Sequence, residues 1–165
     1  EHIERQVEMA KVEGGTILTG GHRGDTPAIG WYYPPTIIAC PRQDLTIVGT
    51  ELFGPVLSVL RFNDEEEVLQ LANDSQFGLA AGVFTRDGAR ALRMTKALRA
   101  GIVWVNTYRV VSPIAEFGGF KESGYGRESG MQAIYDYTRP KTAWLNISHP
   151  PRRLTSGSRI MWPHH

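Results

Sequence analysis

An alternation of strand and helix patterns in the middle of this chain constrains its fold more than any other feature. Apolar side chains alternate over Val56–Phe62, as in a half-buried strand, and two further apolar segments follow, Ala80–Thr85 and Ile102–Val105. Apolar residues at helical spacing fill the two intervals, 63–75 and 87–98. Crossovers of about ten residues or more favour parallel pairing, so the pattern predicts an α/β fold, with a mostly parallel sheet flanked by helices.

Capping residues set the expected beginnings of these two helices. Asn63 is expected at the N-cap of the first helix, with Glu66 three residues later completing a capping box. Asp87 is expected to cap the second helix, because its short carboxylate accepts hydrogen bonds from the free amides of a first turn.

Further elements flank the alternating unit on both sides. A helix is predicted over Glu1–Glu13, where Gly14-Gly15 ends it. Short strands are predicted over Thr16–Thr19 and Ile37–Cys40, and Met131–Tyr137 is predicted as a helix near the end of the chain.

The loop after Ile102–Val105 is the expected place for a ligand. Pro113 cannot donate to a strand ladder, so Asn106–Ser112 is predicted to leave the end of the strand as a loop. In open α/β sheets ligands bind beyond the carboxyl ends of the strands, which places residues 106–117 near any site. The glycines between Gly118 and Gly130 indicate close backbone approach, but their spacing does not match the dinucleotide pattern Gly-x-Gly-x-x-Gly.

The stretch Thr50–Val56 is a second candidate site. If Glu51 and Phe53 are extended, residues two apart face the same way, and a carboxylate then lies beside a flat apolar ring. That pair suits a ribose hydroxyl and a heteroaromatic ring. The alternative is an ordinary loop, with Glu51 solvated and Phe53 in the core.

Charge and cysteine content exclude several classes of partner. The formal net charge of +1 does not indicate a nucleic-acid-binding surface, and no apolar run is long enough to cross a bilayer. The single cysteine, Cys40, excludes an internal disulfide and fits a reducing compartment, so we expect a cytoplasmic protein. The chain begins within a helical pattern and without an initiator methionine, from which we expect a fragment of a longer protein.

Four motifs occur in an order and spacing that resemble one family: Glu51–Val56, Gly78–Thr85, Gly101–Asn106 and Phe117–Glu128. Together they resemble the C-terminal third of the NAD(P)-dependent aldehyde dehydrogenase superfamily. The loop from Thr107 to Pro113 is most similar to the betaine-aldehyde and semialdehyde branches. The resemblance extends from Glu1 to about Ile147.

This resemblance implies roles for residues at both candidate sites. Glu51 matches the carboxylate that holds the nicotinamide ribose hydroxyls, and Phe53 matches the ring beside the nicotinamide. Phe117 matches an aromatic wall of the aldehyde tunnel, and Thr107 and Val111 fall on loop positions that shape that tunnel.

The resemblance implies further roles in the glycine-rich segment. Glu128 matches a carboxylate in a proton path, and a salt bridge with Arg127 or a neighbouring lysine is the alternative. Lys121 and Gly124 match main-chain positions that bind a monovalent cation, whereas the Lys121 side chain itself is expected to be a structural charge. Glu116 stands where the family often has proline; it either favours a polar or cationic aldehyde or faces solvent.

The reaction that the resemblance implies is oxidation of an aldehyde to a carboxylic acid with NAD or NADP, through a cysteine thiohemiacetal, hydride transfer and thioester hydrolysis. In such enzymes the nucleophilic cysteine, the general base and the Rossmann part precede the segment that begins here at Glu1, so the 165 residues alone are predicted to be inactive. Cys40 follows an apolar strand with no histidine beside it, and we expect a buried hydrophobe rather than the nucleophile. The alternative function is a non-catalytic oligomerisation module or a stable remnant.

The chain is therefore divided into three parts. Residues 1–137 are expected to be a partial catalytic domain and 138–148 an oligomerisation strand. Arg139–Ile147 is rich in β formers and has no partner next to it in sequence, so it is predicted to pair with another subunit of the same protein, the alternative being a local edge strand. Residues 149–165 are predicted to be a disordered tail.

Overall fold

The structure, a computed structural model, describes residues 1–24, 30–145 and 147. The helices in this part of the chain are α1 His2–Val12, α2 Thr46–Gly49, α3 Glu65–Asn73, α4 Gly88–Ala97 and α5 Ala133–Tyr137. The strands are β1 Thr16–Thr19, β2 Thr36–Ala39, β3 Val56–Val59, β4 Phe77–Gly78, β5 Ala80–Val83, β6 Ile102–Val105 and β7 Phe120–Lys121.

The strands form three small sheets instead of the single, mostly parallel sheet that the sequence predicts. β5 and β6 pair in parallel around α4, from Ala80 opposite Ile102 to Val83 opposite Val105, which confirms the parallel pairing of the last two strands of the unit. β3 pairs in parallel with β2, while β1 joins β2 antiparallel and β4 joins β7 antiparallel. A single sheet would contain β3 together with β5 and β6, but in the described residues β3 lies in a different sheet.

The first sheet packs on α1 and α2. Val7 and Ala10, one turn apart on α1, are fully buried against Ile38 of β2 and Leu45 just before α2. Glu13 ties the two helices together: its carboxylate accepts from the Thr46 amide at 2.8 Å and from the Thr46 hydroxyl at 2.6 Å. The side chain of an acidic residue after α1 therefore caps the beginning of α2.

The second core lies under β5 and β6. Val83 of β5, Met94 of α4 and Leu98 after α4 are buried together, and Val68 and Leu69 of α3 pack against them. Two separate cores, each attached to its own parallel strand pair, explain why the strands divide into different sheets.

The N-cap of α3 is Asp64, one residue later than predicted. The Asp64 carboxylate accepts from the Glu67 amide at 2.9 Å, and the Glu67 carboxylate accepts from the Asn63 amide at 2.7 Å. The sequence offers two overlapping pairs with an acid three residues after a capping side chain, Asn63 with Glu66 and Asp64 with Glu67. The second pair is the one that forms, with Asp64 in the extended conformation required of an N-cap.

Ion pairs join α3 to α4. The Glu65 carboxylate accepts from Arg93 at 2.8 Å and from Arg90 at 3.1 Å. Hydrogen bonding to Arg93, supported by Arg90, lowers the pKa of the Glu65 carboxyl to about 2. Asp87 caps α4 as predicted, accepting from the amides of Ala89 and Arg90.

The end of the chain contains less regular structure than predicted. Residues 139–145 form no strand in the described part of this single chain, so the role of Arg139–Ile147 in pairing subunits stays a prediction. The predicted tail, 149–165, lies outside the described residues. The terminal helix begins at Ala133 instead of Met131. Among the described residues no helix has the length and apolarity needed to span a membrane.

Candidate functional site

A cavity of about 530 Å³ lies between the beginning of β6, at Ile102, and the segment that follows the strand, residues 110–117. Its lining combines apolar side chains, among them Val111, Pro113 and Phe117, with the carboxylates of Glu116 and Glu128. The structure therefore brings three of the predicted site residues, Val111, Phe117 and Glu128, to one cavity. The β6 residue in the lining is Ile102, at the beginning of the strand, so the cavity lies beside β6 and not beyond its carboxyl end, where the sequence predicts a site.

Backbone pairing holds two of these residues together. The amide of Phe117 donates to the Glu128 carbonyl at 2.7 Å, and the amide of Glu128 donates back to the Phe117 carbonyl at 2.7 Å. Such a reciprocal pair fixes the separation of the two residues. The ion pair between Glu128 and Arg127, which was the alternative to a proton path, does not form among the described residues. The Arg127 guanidinium instead donates to the carbonyls of Gly119 and Gly126, at 3.1 and 2.7 Å.

A close contact between Gly101 and Gly118 sets the distance between the beginning of β6 and the backbone around Phe117. Gly101, just before β6, lies so close to Gly118 that a Cβ on it would overlap the Gly118 carbonyl oxygen and lie 2.9 Å from its carbonyl carbon. A residue with a side chain would separate the two backbones. The contact therefore holds Phe117, the residue before Gly118, close to the beginning of β6.

Lys121 has a structural role in this chain. Its ammonium group donates to the carbonyls of Asn73 at 2.7 Å and Ser75 at 2.8 Å, at the C-terminal end of α3, where a cation is favoured. The backbones of Lys121 and Gly124 have φ of 54° and 117°. The monovalent cation at these two main-chain positions stays a prediction. No group of three or more His, Cys, Asp or Glu side chains among the described residues is arranged to hold a metal ion.

The second candidate site, Glu51 and Phe53, lies apart from the cavity. Neither residue lines the cavity that contains Phe117. The premise that both are extended fails at Phe53, whose φ of 50° is left-handed, and its ring is 90 % exposed instead of buried in the core. Gly54 packs against the Ile3 side chain of α1, where a Cβ would overlap it, so this loop belongs to the first core. The predicted roles of Glu51 and Phe53 remain untested.

Other predicted residues take different positions. Thr107 is exposed and does not line the cavity, although it lies in the same loop as Val111. Cys40 is 6 % exposed within the first core, and its Sγ lies 3.8 Å from the Ile38 carbonyl oxygen. A thiol so placed is a core group, which agrees with the expectation that it is not a nucleophile.

Sequence reasoning missed the residues that position the loop after β6. The side chains of Trp104 and Asn106 hold this loop through hydrogen bonds to backbone carbonyls. Only the residue types at these two positions could have indicated this role from the sequence. Asparagine adopts positive φ more often than most residues, and the indole N–H of tryptophan usually donates a hydrogen bond to an acceptor.

Comparison with known proteins adds a family assignment. The model for the aldehyde dehydrogenase family matches residues 1–143. The chain is 51 % identical over 152 residues to (Z)-2-((N-methylformamido)methylene)-5-hydroxybutyrolactone dehydrogenase from Acinetobacter baylyi, covering 92 % of this chain and 31 % of that protein. It is 43 % identical to betaine aldehyde dehydrogenase from Rhizobium etli, covering 89 % of this chain and 30 % of that protein.

Solved structures give the same result for the fold. The NAD⁺ complex of an aldehyde dehydrogenase from Bacillus cereus superposes with a TM-score of 0.82 at 41 % identity, covering 89 % of this chain and 30 % of that one. The crystal structure of PnpE in complex with nicotinamide adenine dinucleotide superposes with a TM-score of 0.80 at 42 % identity, covering 83 % of this chain and 28 % of that one. This chain thus spans about 30 % of the length of the curated relatives it matches.

Proposed function

Because this chain belongs to the aldehyde dehydrogenase family, we propose that it is part of an NAD(P)-dependent enzyme that oxidises an aldehyde to a carboxylic acid. The observation that carries the proposal is the family match over residues 1–143. Since the chain spans about 30 % of its relatives, the activity is proposed for the longer protein, and the 165 residues alone are proposed to be inactive. The C-terminal placement of the chain within that protein remains a prediction, because the covered share of a relative does not give its position.

The substrate side of the proposal rests on the cavity beside β6. Val111 and Phe117 supply apolar surface for the carbon chain of an aldehyde, and a pocket with few polar groups suits such a ligand. Glu116 and Glu128 are the acidic residues of the lining. Glu116 would favour a polar or cationic aldehyde if its carboxylate faces the ligand, and it has no effect on the substrate if it faces solvent. The aldehyde itself is not assigned.

The residues of this chain fit one end of a dinucleotide. The Phe53 ring is 90 % exposed, and the Glu51 carboxylate two residues away is exposed as well, so both are accessible to a nicotinamide ring and its ribose hydroxyls. An ionised carboxylate is a strong acceptor for such hydroxyls. A bound NAD or NADP would supply the hydride acceptor. Gly124, Gly126 and Gly130 lack the spacing of a pyrophosphate-binding turn, so the adenosine end is proposed to bind outside this chain.

The size of the exposed surface supports an incomplete unit. The accessible surface of the chain is 13913 Å², against about 8200 Å² for a compact monomer of this mass. Among the described residues, large apolar side chains such as Phe53, Phe84 and Val111 are 90 %, 72 % and 68 % exposed. An excess of this kind indicates surface that another part of a larger protein covers.

A second candidate function, a non-catalytic oligomerisation module or stable remnant, is favoured by one observation. Glu51 and Phe53 do not share a cavity with Phe117, so no complete site forms within the described residues. The two functions are compatible if the longer protein is the enzyme and this chain is its inactive part.

Production of NADH or NADPH, followed by absorbance, separates the two functions. The longer protein that contains this chain is incubated with each cofactor and a panel of aliphatic, aromatic and amino aldehydes, beside the 165-residue chain alone. We expect reduced cofactor from the longer protein and none from the chain. Turnover by the chain alone would contradict its proposed inactivity, and no turnover by the longer protein would contradict the enzyme function.

A further inference from the structure

The loop between β6 and the cavity is tied to β6 by one indole. The Trp104 Nε1–H donates to the Val110 carbonyl oxygen at 2.8 Å, across six residues. The Trp104 ring also contacts Tyr108 edge to face, with 5.2 Å between ring centroids and an interplanar angle of 69°. Both contacts draw the loop back over the strand it has just left.

Asn106 holds the other end of the same loop. Its side-chain amide accepts from the Thr85 amide and donates to the Thr85 carbonyl, both at 2.8 Å, so it continues the pairing of β5 with β6 beyond the strand. The Asn106 amide donates to the Val83 carbonyl at 2.8 Å. A φ of 54° at Asn106 then turns the chain into the loop.

Between these anchors the backbone has little support of its own. Residues 107–111 make no backbone–backbone hydrogen bond with other described residues. Val110 and Val111 are 61 % and 68 % exposed, so burial adds little. The indole bond to the Val110 carbonyl therefore holds the part of the loop beside the cavity, which Val110 and Val111 both line together with Phe117.

We propose that Trp104 is a positioning residue for selectivity, which places Val111 in the cavity wall by holding the Val110 carbonyl. The proposal rests on the function proposed above and goes beyond it, because Trp104 is not among the residues that line the cavity. Loss of the bond frees the loop, and the cavity then discriminates less between a short aldehyde and a bulky aromatic one.

Trp104→Phe in the longer protein tests this, because phenylalanine keeps an aromatic ring for Tyr108 and removes only the N–H donor. We expect trypsin to cleave after Arg109, within the loop that the indole holds, roughly threefold to tenfold faster, as for loss of one hydrogen bond, while cleavage after Lys96 of α4 is unchanged. We expect the ratio of kcat/KM for acetaldehyde to that for benzaldehyde to change by the same factor, mainly through KM. Trp31→Phe, at a ring that is 97 % exposed, is the matched control and should change neither measurement.

Asn106→Gly provides a second variant if Trp104→Phe does not fold. Glycine accepts the positive φ and removes the side-chain amide bonds to Thr85, so cleavage after Arg109 should become faster while Trp104 is intact. Unchanged cleavage after Arg109 and an unchanged kcat/KM ratio in an active Trp104→Phe protein would overturn the inference. If the unmodified protein oxidises no aldehyde, the proposed function fails and the role in selectivity with it, whereas the cleavage measurement still decides whether the indole holds the loop.

Discussion

The close contact of Gly101 with Gly118 leads to a prediction for Gly101→Ala. An alanine Cβ would lie 2.9 Å from the Gly118 carbonyl carbon and 3.4 Å from the Gly119 Cα, and would overlap the Gly118 carbonyl oxygen. All three obstacles are backbone atoms, which cannot rotate away as a flexible side chain does. Overpacking of this kind costs about 2 kcal/mol of the free energy of unfolding. The Phe117–Glu128 pair, one residue away, must move with Gly118.

Urea unfolding of the chain, followed by tryptophan fluorescence, measures this cost. With a denaturant slope of about 2 kcal/mol per molar, the midpoint should fall by about 1 M. Gly49→Ala is the matched control, because no atom lies within 4 Å of a Cβ at Gly49, in the short helix α2. Its midpoint should stay constant or rise, since alanine favours a helix over glycine. A Gly101→Ala midpoint equal to that of Gly49→Ala would refute the packing argument.

Three other predictions concern the ion pairs of Glu65, the N-cap of α3 and the proposed role of Glu51 in binding the cofactor. Arg93 and Arg90 lower the folded-state pKa of Glu65 from 4.5 to about 2, so the stabilisation it gives is complete above pH 4.5 and is lost as the pH falls towards 2. The urea midpoint of Glu65→Gln should therefore lie below that of the unmodified chain at pH 7 and meet it near pH 2; a gap independent of pH would contradict the ion pair. Asp64→Ala should lower the free energy of unfolding by about 1 kcal/mol through loss of the α3 cap, while Glu66→Ala should not; the reverse order would restore the register predicted from sequence. Glu51→Gln in the longer protein should raise KM for the cofactor by roughly tenfold, as for a hydrogen bond to a charged group; unchanged kinetics would remove Glu51 from the site.

Local patterns predicted most of the elements. Thr16–Thr19 and Ile102–Val105 form strands with the predicted bounds, and Asp87 caps α4 as expected. These features depend on residues within one turn or one strand of each other, so the sequence contains all the information they need. The α3 cap was wrong by one residue because Asn63-Asp64 followed by three glutamates satisfies the capping rule in two registers.

The candidate site was predicted in part, for a similar reason. Val111, Phe117 and Glu128 lie within one continuous segment after β6, and the structure brings them to one cavity. Glu51 and Phe53 are exposed on a loop whose Leu52 packs against the other core, and no local pattern says how two cores are placed. The left-handed backbone of Phe53 also means that Glu51 and Phe53 do not face the same way as alternate residues of a strand would.

The sequence by itself determined the family, most of the helices and strands and the parallel pairing of β5 with β6, because each depends on local spacing or on motifs read in order, whereas the short elements α2, β4 and β7 were not predicted. The tertiary structure alone decided that β3 pairs with β2, that Gly101 meets Gly118 and that the Trp104 indole reaches Val110. Each of these depends on where distant or folded-back backbone comes to lie. That position is fixed by the burial of apolar side chains in two separate cores, and burial acts without regard to distance along the chain.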